Sequence, residues 1–262
     1  MNIPNLSLED LVDYAPPCLV DDFPLDWQMT RAERFTLIHI LKKLQPELSI
    51  EIGTYKGGSL QVLSRYSKAV VSVDILPSIA VSLGGLFSNV TFMSGDSSIL
   101  IPRLIEQINA SEERVGLVLI DGDHSEEGVR RDITNIFSLR PKRPIGIVMH
   151  DSFKPPCRAG MQSANWEACP YIHYVELDFV AGVFLPGRAT VNASMAGGFA
   201  FALMLPEKRD SPLNIYQSQL AKFQLVSRFA DRSGFLTGSP KSGVLQRLGH
   251  IKSKVGSAMK RL

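Results

Sequence analysis

The chain has 262 residues, 45% of them hydrophobic, with 28 basic against 26 acidic side chains and a formal net charge of +2. That apolar content fills one substantial core with small appendages, and so even a charge balance argues against a nucleic-acid-binding surface, which shows as a pronounced basic excess. Three cysteines, Cys18, Cys157 and Cys169, are too few and too scattered for a disulfide framework or a zinc cluster, and no apolar run approaches the ~20 residues of a membrane span.

The opening "MNIPNLSLEDLV" has neither a basic leader nor an apolar stretch of signal-peptide length, so the expectation is a cytoplasmic protein with free thiols. "MTRAERFTLIHILKKL" (29–44) carries apolar residues at helical spacing. Five short apolar runs follow, alternating with amphipathic stretches: "LSIEIG" (48–53), "AVVSVDI" (69–75), "VTFMSGD" (90–96), "GLVLIDGD" (116–123) and "IGIVMHD" (145–151). Runs so uniformly apolar predict strands covered on both faces, as in a parallel sheet built of βαβ units. Each ends in an acid or has one within two positions of its end, and ligands of such sheets sit outside the carboxyl ends of the strands. The acids therefore gather along one rim.

After residue 151 the rhythm changes. "YIHYVELDF" (171–179) and "GGFAFALML" (197–205) read as two further strands with no helix between them, which makes the pair antiparallel. The expected fold is thus α/β, a doubly wound mixed sheet of five parallel strands plus an antiparallel hairpin, with helices on both faces. The loop formers of "DSFKPPCRAGMQSANWEACP" (151–170) suggest a lid over an acceptor pocket, with Arg158 and Trp166 placed to meet substrate or, equally, packed in a long loop. "DDFPLDWQM" (21–29) offers a second wall. "LNIYQSQLAKFQLVSRF" (213–229) is amphipathic, and in the final segment Val244, Leu245, Leu248, Ile251, Val255, Met259 and Leu262 recur at helical steps among six unopposed bases from Lys241 to Arg261. Such a basic helix fits an anionic membrane surface, the domain itself or another subunit, and these readings stay open.

The turn after the first strand, "EIGTYKGGSLQVLSRY", brings Glu51, Gly53, Gly57 and Gly58 to the start of a helix, as a loop that approaches a ligand closely would require. The dinucleotide fingerprint is not matched, because Tyr55 stands at its second glycine, which disfavours a nicotinamide dehydrogenase. Asp74 ends the second strand where a carboxylate can accept hydrogen bonds from ribose hydroxyls, and Asp96 and Ser97 follow the third, placed to meet an adenine edge. An adenosine-containing ligand without a diphosphate satisfies all three positions.

These stretches, together with "LVLIDGDHSEEGVRRDI" and "IVMHD", resemble the class I S-adenosylmethionine-dependent methyltransferases over roughly residues 29–205. The closest likeness is to the small-molecule O-methyltransferases of the macrocin, mycinamicin and cephalosporin pathways, and it implies a Rossmann-like fold. It divides the chain into an N-terminal helical segment (1–45) capping the active site, a cofactor-binding domain (46–206) and a C-terminal helical extension (207–262). It implies that Glu51, Gly53, Thr54, Tyr55, Gly57 and Ser59 contact the methionine end of the cofactor, that Asp74 and Ile75 hold the ribose, and that Asp96 and Ser97 lie by the adenine, with Asp121 also at the cofactor. In this group the acid of the fourth strand is a divalent-metal ligand and the residue three positions on is a general base; those positions are Asp121 and His124.

A neutral hydroxyl is a poor nucleophile toward a sulfonium methyl, and an imidazole accepts a proton at neutral pH. Asp123 reads instead as an acid favoured before a helix start. In the relatives a pair of oxygen donors on the fifth strand completes a magnesium site; here the pair is His150-Asp151, so magnesium, a softer metal, or no metal with His150 and His124 doing the acid–base work are all left open. The implied partner is a small hydroxylated acceptor, a sugar, glycoside or secondary metabolite, with no nucleic acid; peripheral membrane contact through 241–262 and a homo-oligomer are further expectations. The alternative function is a cofactor-binding module that has lost transfer.

Overall fold

A computed structural model describes residues 23–185 and 194–232. The expectations placed on Cys18 and on the basic tail from Lys241 onward lie outside the described residues. The described residues divide into two compact units, a larger one of 23–183 and 196–220 and a smaller one of 184–185, 194–195 and 221–232.

The larger unit alternates helix and strand: α1 (Arg31–Leu44), β1 (Leu48–Ile52), α2 (Leu60–Tyr66), β2 (Ala69–Asp74), α3 (Pro77–Leu83), β3 (Val90–Ser94), α4 (Ser97–Ala110), β4 (Val115–Ile120), α5 (Glu126–Ile136), β5 (Ile145–His150), α6 (Pro155–Ser163) and β6 (Ile172–Val180). The strands β7 (Val183–Leu185) and β8 (Ser194–Ala196) pair in a separate ladder; β9 (Phe199–Met204) and β10 (Ile215–Tyr216) return to the main sheet. The smaller unit contains most of helix α7 (Leu220–Arg232), on which Leu225 is exposed.

The sheet has eight strands in the order β10-β6-β9-β5-β4-β1-β2-β3. β1 to β5 pair in parallel as expected, and β9 runs antiparallel to both of its neighbours, β5 and β6. The later pair is antiparallel as expected, and its second strand is the inner one: β9 lies beside β5, which carries β6 outward parallel to β5. The order reverses between β1 and β4, and all five parallel strands end on one side.

Every residue of β1, β4 and β5 is buried. Strand alternation divides β4 between two layers: Val118 and Ile120 join Ile50, Ile52, Ile105 and Ile133 on one face, while Leu117 and Leu119 join Leu37, Leu41, Leu63 and Phe199 on the other. Helices thus cover both faces, which is why these strands read as continuous apolar runs.

α1 opens with a capping box in which Thr30 accepts from the Glu33 backbone and Glu33 accepts from that of Thr30. The segment before it lies against the glycine loop: a Cβ on Gly58 would stand 2.6 Å from the Trp27 Cα, and one on Gly57 would touch Leu25. Residues 213–232 are not one helix. Ile215 and Tyr216 add β10 beside β6, and the backbone amides of Ser218 and Gln219 donate to the Glu176 and Asp178 carboxylates before α7 begins. Among the described residues, no helix is long and apolar enough to cross a membrane.

Candidate active site

The five strand ends converge on a rim whose first element is the loop from Gly53 to Ser59. Gly53 has φ +91°, and a Cβ there would lie 2.1 Å from the Asp121 carbonyl oxygen, so only glycine lets the ends of β1 and β4 approach this closely. Tyr55 is also left-handed, at φ +48°, with its side chain in solvent. The loop is tied to β2 by Asp74, whose Oδ2 accepts from the backbone N–H of both Thr54 and Tyr55 at 3.0 Å, while Oδ1 accepts from Leu76 N at 2.9 Å. Asp74 is half-buried, and its oxygens retain lone pairs for further donors. Ile75, next along, is exposed.

Glu51 sits beneath this loop rather than on it. It is fully buried, accepting from Ser59 Oγ and from Ser72 Oγ at 2.6 Å each; Thr54 Oγ1 donates in turn to Ser72 Oγ at 2.5 Å. Burial raises its pKa to about 7 against the pull of the two hydroxyls, with the charges of Asp121 and Asp74 adding to the rise.

At the end of β3, Asp96 caps α4 by accepting from Ser98 N at 2.8 Å and remains exposed. Ser97 donates to Asp132 Oδ1 of α5, also at 2.8 Å. Asp132 is wholly buried, its Oδ2 has no hydrogen-bond partner, and desolvation raises its pKa to about 6 despite the Ser97 bond. The sequence offers no sign of this: Asp132 follows Arg130 and Arg131 on an amphipathic helix and reads as a surface charge.

The densest cluster lies at the ends of β4 and β5. Asp121 Oδ1 meets two imidazoles, His150 Nδ1 at 3.0 Å and His124 Nε2 at 3.2 Å. The other face of His150 is turned to Glu33 of α1, with Nε2 at 3.3 Å from Oε1, an ion-pair distance out of line for a hydrogen bond. Burial opposes charge on His150, but the carboxylates of Asp121, Glu33 and Asp151 outweigh it and hold its pKa well above 6.5. Reciprocally, desolvation opposes charge on the buried Glu33 and the partly buried Asp121, yet His150, joined at Asp121 by His124, keeps both below the ordinary carboxylate values.

Asp151 follows β5 in the left-handed region, φ +60°, a conformation that is strained for a residue with a side chain. Its Oδ1 accepts from Gly197 N at 2.6 Å, and Glu33 accepts from Gly198 N. Both glycines have positive φ, and a Cβ on Gly197 would stand 2.8 Å from Glu33 Oε1. Lys154 folds back over this turn: its ammonium lies 2.7 Å from His124 Nδ1 and 3.4 Å from Asp151 Oδ2. Because the ammonium can only donate, Nδ1 carries the lone pair and the Nε2–H of His124 donates to Asp121.

This donor set does not fit a divalent ion. Asp121 Oδ1 already holds two imidazole nitrogens, Asp151 Oδ1 an amide, and Asp151 Oδ2 faces an ammonium. No group of three or more His, Cys, Asp or Glu side chains among the described residues is arranged as a metal site. The structure thus brings Asp121, His124, His150 and Asp151 together, as the sequence suggests, but around cations of the chain itself.

Glu33 and Lys154 were not marked by the sequence. "TRAE" explains Glu33 as a helix cap, and Lys154 precedes two prolines and reads as loop. Arg158 and Trp166 take the packed alternative. "PPCRAGMQS" forms α6, which starts on its prolines as helices readily do; Arg158, on the buried side, pairs with Asp178 at 2.6 Å, and Trp166 donates to the Met161 carbonyl within the core. Neither is open to a substrate. Asp123 accepts from Ser125 N before α5, as a helix-start acid should.

In sequence, residues 50–152 match the family model described as a methyltransferase domain. No curated protein matches the chain. Among solved structures, the cofactor-bound Rv0187 protein from MTB is 21% identical, covering 79% of this chain and all of its own, with a TM-score of 0.51. The O-methyltransferase TomG from Streptomyces achromogenes, in complex with SAM, is 14% identical over 70% of this chain and 83% of its own, at a TM-score of 0.50. A putative O-methyltransferase from Klebsiella pneumoniae is 15% identical over 75% and 95%, also at 0.50. The fold is the one these proteins share.

Proposed function

We propose that the protein is an S-adenosylmethionine-dependent methyltransferase that acts on a hydroxyl of a sugar, glycoside or other small metabolite. The methyltransferase-domain match over 50–152 and the fold of a SAM-bound O-methyltransferase support the cofactor class. The rim supports its placement: the glycine loop backed by Glu51 for the methionine end, Asp74 for the ribose hydroxyls, and Asp96 beside the adenine. When bound, the cofactor supplies an electrophilic sulfonium methyl. The chain's own residues then have two tasks, to orient the acceptor and to take its proton.

One observation carries the choice of base. His124 donates through Nε2 to Asp121 Oδ1 at 3.2 Å, which fixes the tautomer and stabilises the imidazolium that forms on proton uptake. Nδ1 is thereby left as the acceptor nitrogen, bonded here to the Lys154 ammonium at 2.7 Å, and a hydroxyl donor that displaces this ammonium finds the lone pair it needs. No step requires a metal. The reading of a silent cofactor-binding module draws on one feature, that both ring nitrogens of His124 are already engaged.

Calorimetry with S-adenosylmethionine, followed by release of S-adenosylhomocysteine over a panel of hydroxylated acceptors, separates the two readings. His124→Ala should keep cofactor affinity and lose roughly 100-fold or more in turnover. Undiminished turnover would remove His124 as base, and cofactor binding without transfer on any acceptor would favour the silent module.

A further inference from the structure

We infer that the Lys154 ammonium is a resident cation of this site, standing where the sequence resemblance places a divalent metal, so that the site needs no metal ion. The inference rests on the methyltransferase reading for its chemical use, though its geometry stands independently.

Three features fix Lys154 in place. The left-handed Asp151 starts a tight turn closed by the Lys154 N–H donating to the Asp151 carbonyl at 2.8 Å. Lys154 itself precedes Pro155 and Pro156, which restricts its backbone to the extended conformation it adopts, φ −81° and ψ 120°. The side chain folds back over the turn, where Asp151 Oδ2 lies 3.4 Å and His124 Nδ1 2.7 Å from the ammonium. A divalent ion entering between Asp121 and Asp151 would meet this charge at contact distance. Like charges a few ångströms apart in a partly buried site repel strongly, and the ion would also have to displace the imidazole nitrogens from Asp121 Oδ1.

The replacement suits the proposed reaction. A metal in such a site neutralises the carboxylates and supports the oxygen that loses its proton. Lys154 does the first at Asp151, 3.4 Å away, and it stays within reach of an oxygen that takes its place at His124 Nδ1. It is a positioning cation, held by Asp151 and delivered by the turn that follows β5.

Manganese titration of the full-length protein, followed by electron paramagnetic resonance, tests this without an acceptor. Removing the ammonium in Lys154→Met leaves Asp121 and Asp151 facing an open cation position, so Mn2+ affinity should rise by about tenfold or more over wild type. Lys154→Arg should restore the wild-type value, and adding Asp121→Asn to Lys154→Met should abolish the gain. Equal Mn2+ affinity in wild type and Lys154→Met, whether tight or absent in both, overturns the inference. Lys154 is one-third exposed and makes no side-chain cap bond, and Lys154→Gln provides a second variant should the methionine disturb folding. Calorimetry of the wild type with S-adenosylmethionine runs in parallel: its failure would remove the methyltransferase reading and leave the manganese comparison intact.

Discussion

Replacing Glu51 by glutamine should stabilise the protein at neutral and alkaline pH while weakening its hold on the cofactor. Glu51 is fully buried, and its carboxyl is pushed from 4.5 to about 7, chiefly by loss of solvent. Between those values the folded chain holds a proton that the unfolded chain has released, so stability falls as pH rises through this window. Above about 7 the whole cost is in force, about 3 kcal/mol. Glu51→Gln removes the ionisation and keeps the shape, and the Ser59 or Ser72 hydroxyl can rotate to accept from the new amide. Urea unfolding of both proteins at about pH 4.5 and about pH 8, read at constant m, should show the variant gaining about 3 kcal/mol on the wild type across that interval. A difference that does not change with pH would refute the buried, destabilised carboxylate. The same variant should bind S-adenosylmethionine more weakly, because the costly charge is the one the resemblance assigns to the cationic methionine end.

Glu33→Gln should destabilise by about 3 kcal/mol, roughly 6–12 °C in Tm, because it leaves the His150 imidazolium short of a buried partner and cannot accept from both Thr30 and Gly198. Thermal melts should show that loss in full between pH 4.5 and 6.5. It shrinks as pH falls through the lowered Glu33 value or rises through the raised His150 value, since the pair is then uncharged on one side. Gly53→Ala forces a Cβ to 2.1 Å from the Asp121 carbonyl in a left-handed backbone, so it should cost roughly 2–4 kcal/mol in urea unfolding and at least about tenfold in cofactor affinity by calorimetry. An alanine variant with wild-type affinity would separate the loop from the ligand.

The parallel half of the sheet was legible because strands covered on both faces need unbroken apolar runs, and because parallel strands deliver all their terminal acids to one rim. Asp121, His124, His150 and Asp151 were legible for the same reason, each within four residues of a strand end. What escaped depends on distant or ambiguous neighbours. Glu33 carries a local cap signal that accounts for it fully, and its second role needs Gly198, 165 positions away. Asp132 sits among arginines on a helix whose buried side only the fold defines. Lys154 is aimed by a single positive φ at Asp151, which no residue preference announces. The stretch 151–170 reads as a lid because prolines serve loops and helix starts alike, and only packing decided that Arg158 and Trp166 point inward.

The proposed function requires that the rim formed by Gly53, Asp74, Asp96 and Asp121 hold S-adenosylmethionine. Isothermal calorimetry of the purified chain measures it directly. Saturable binding of S-adenosylmethionine is expected, competed by S-adenosylhomocysteine and weakened by Asp74→Ala, with no heat from NAD. Binding of NAD without S-adenosylmethionine would contradict it.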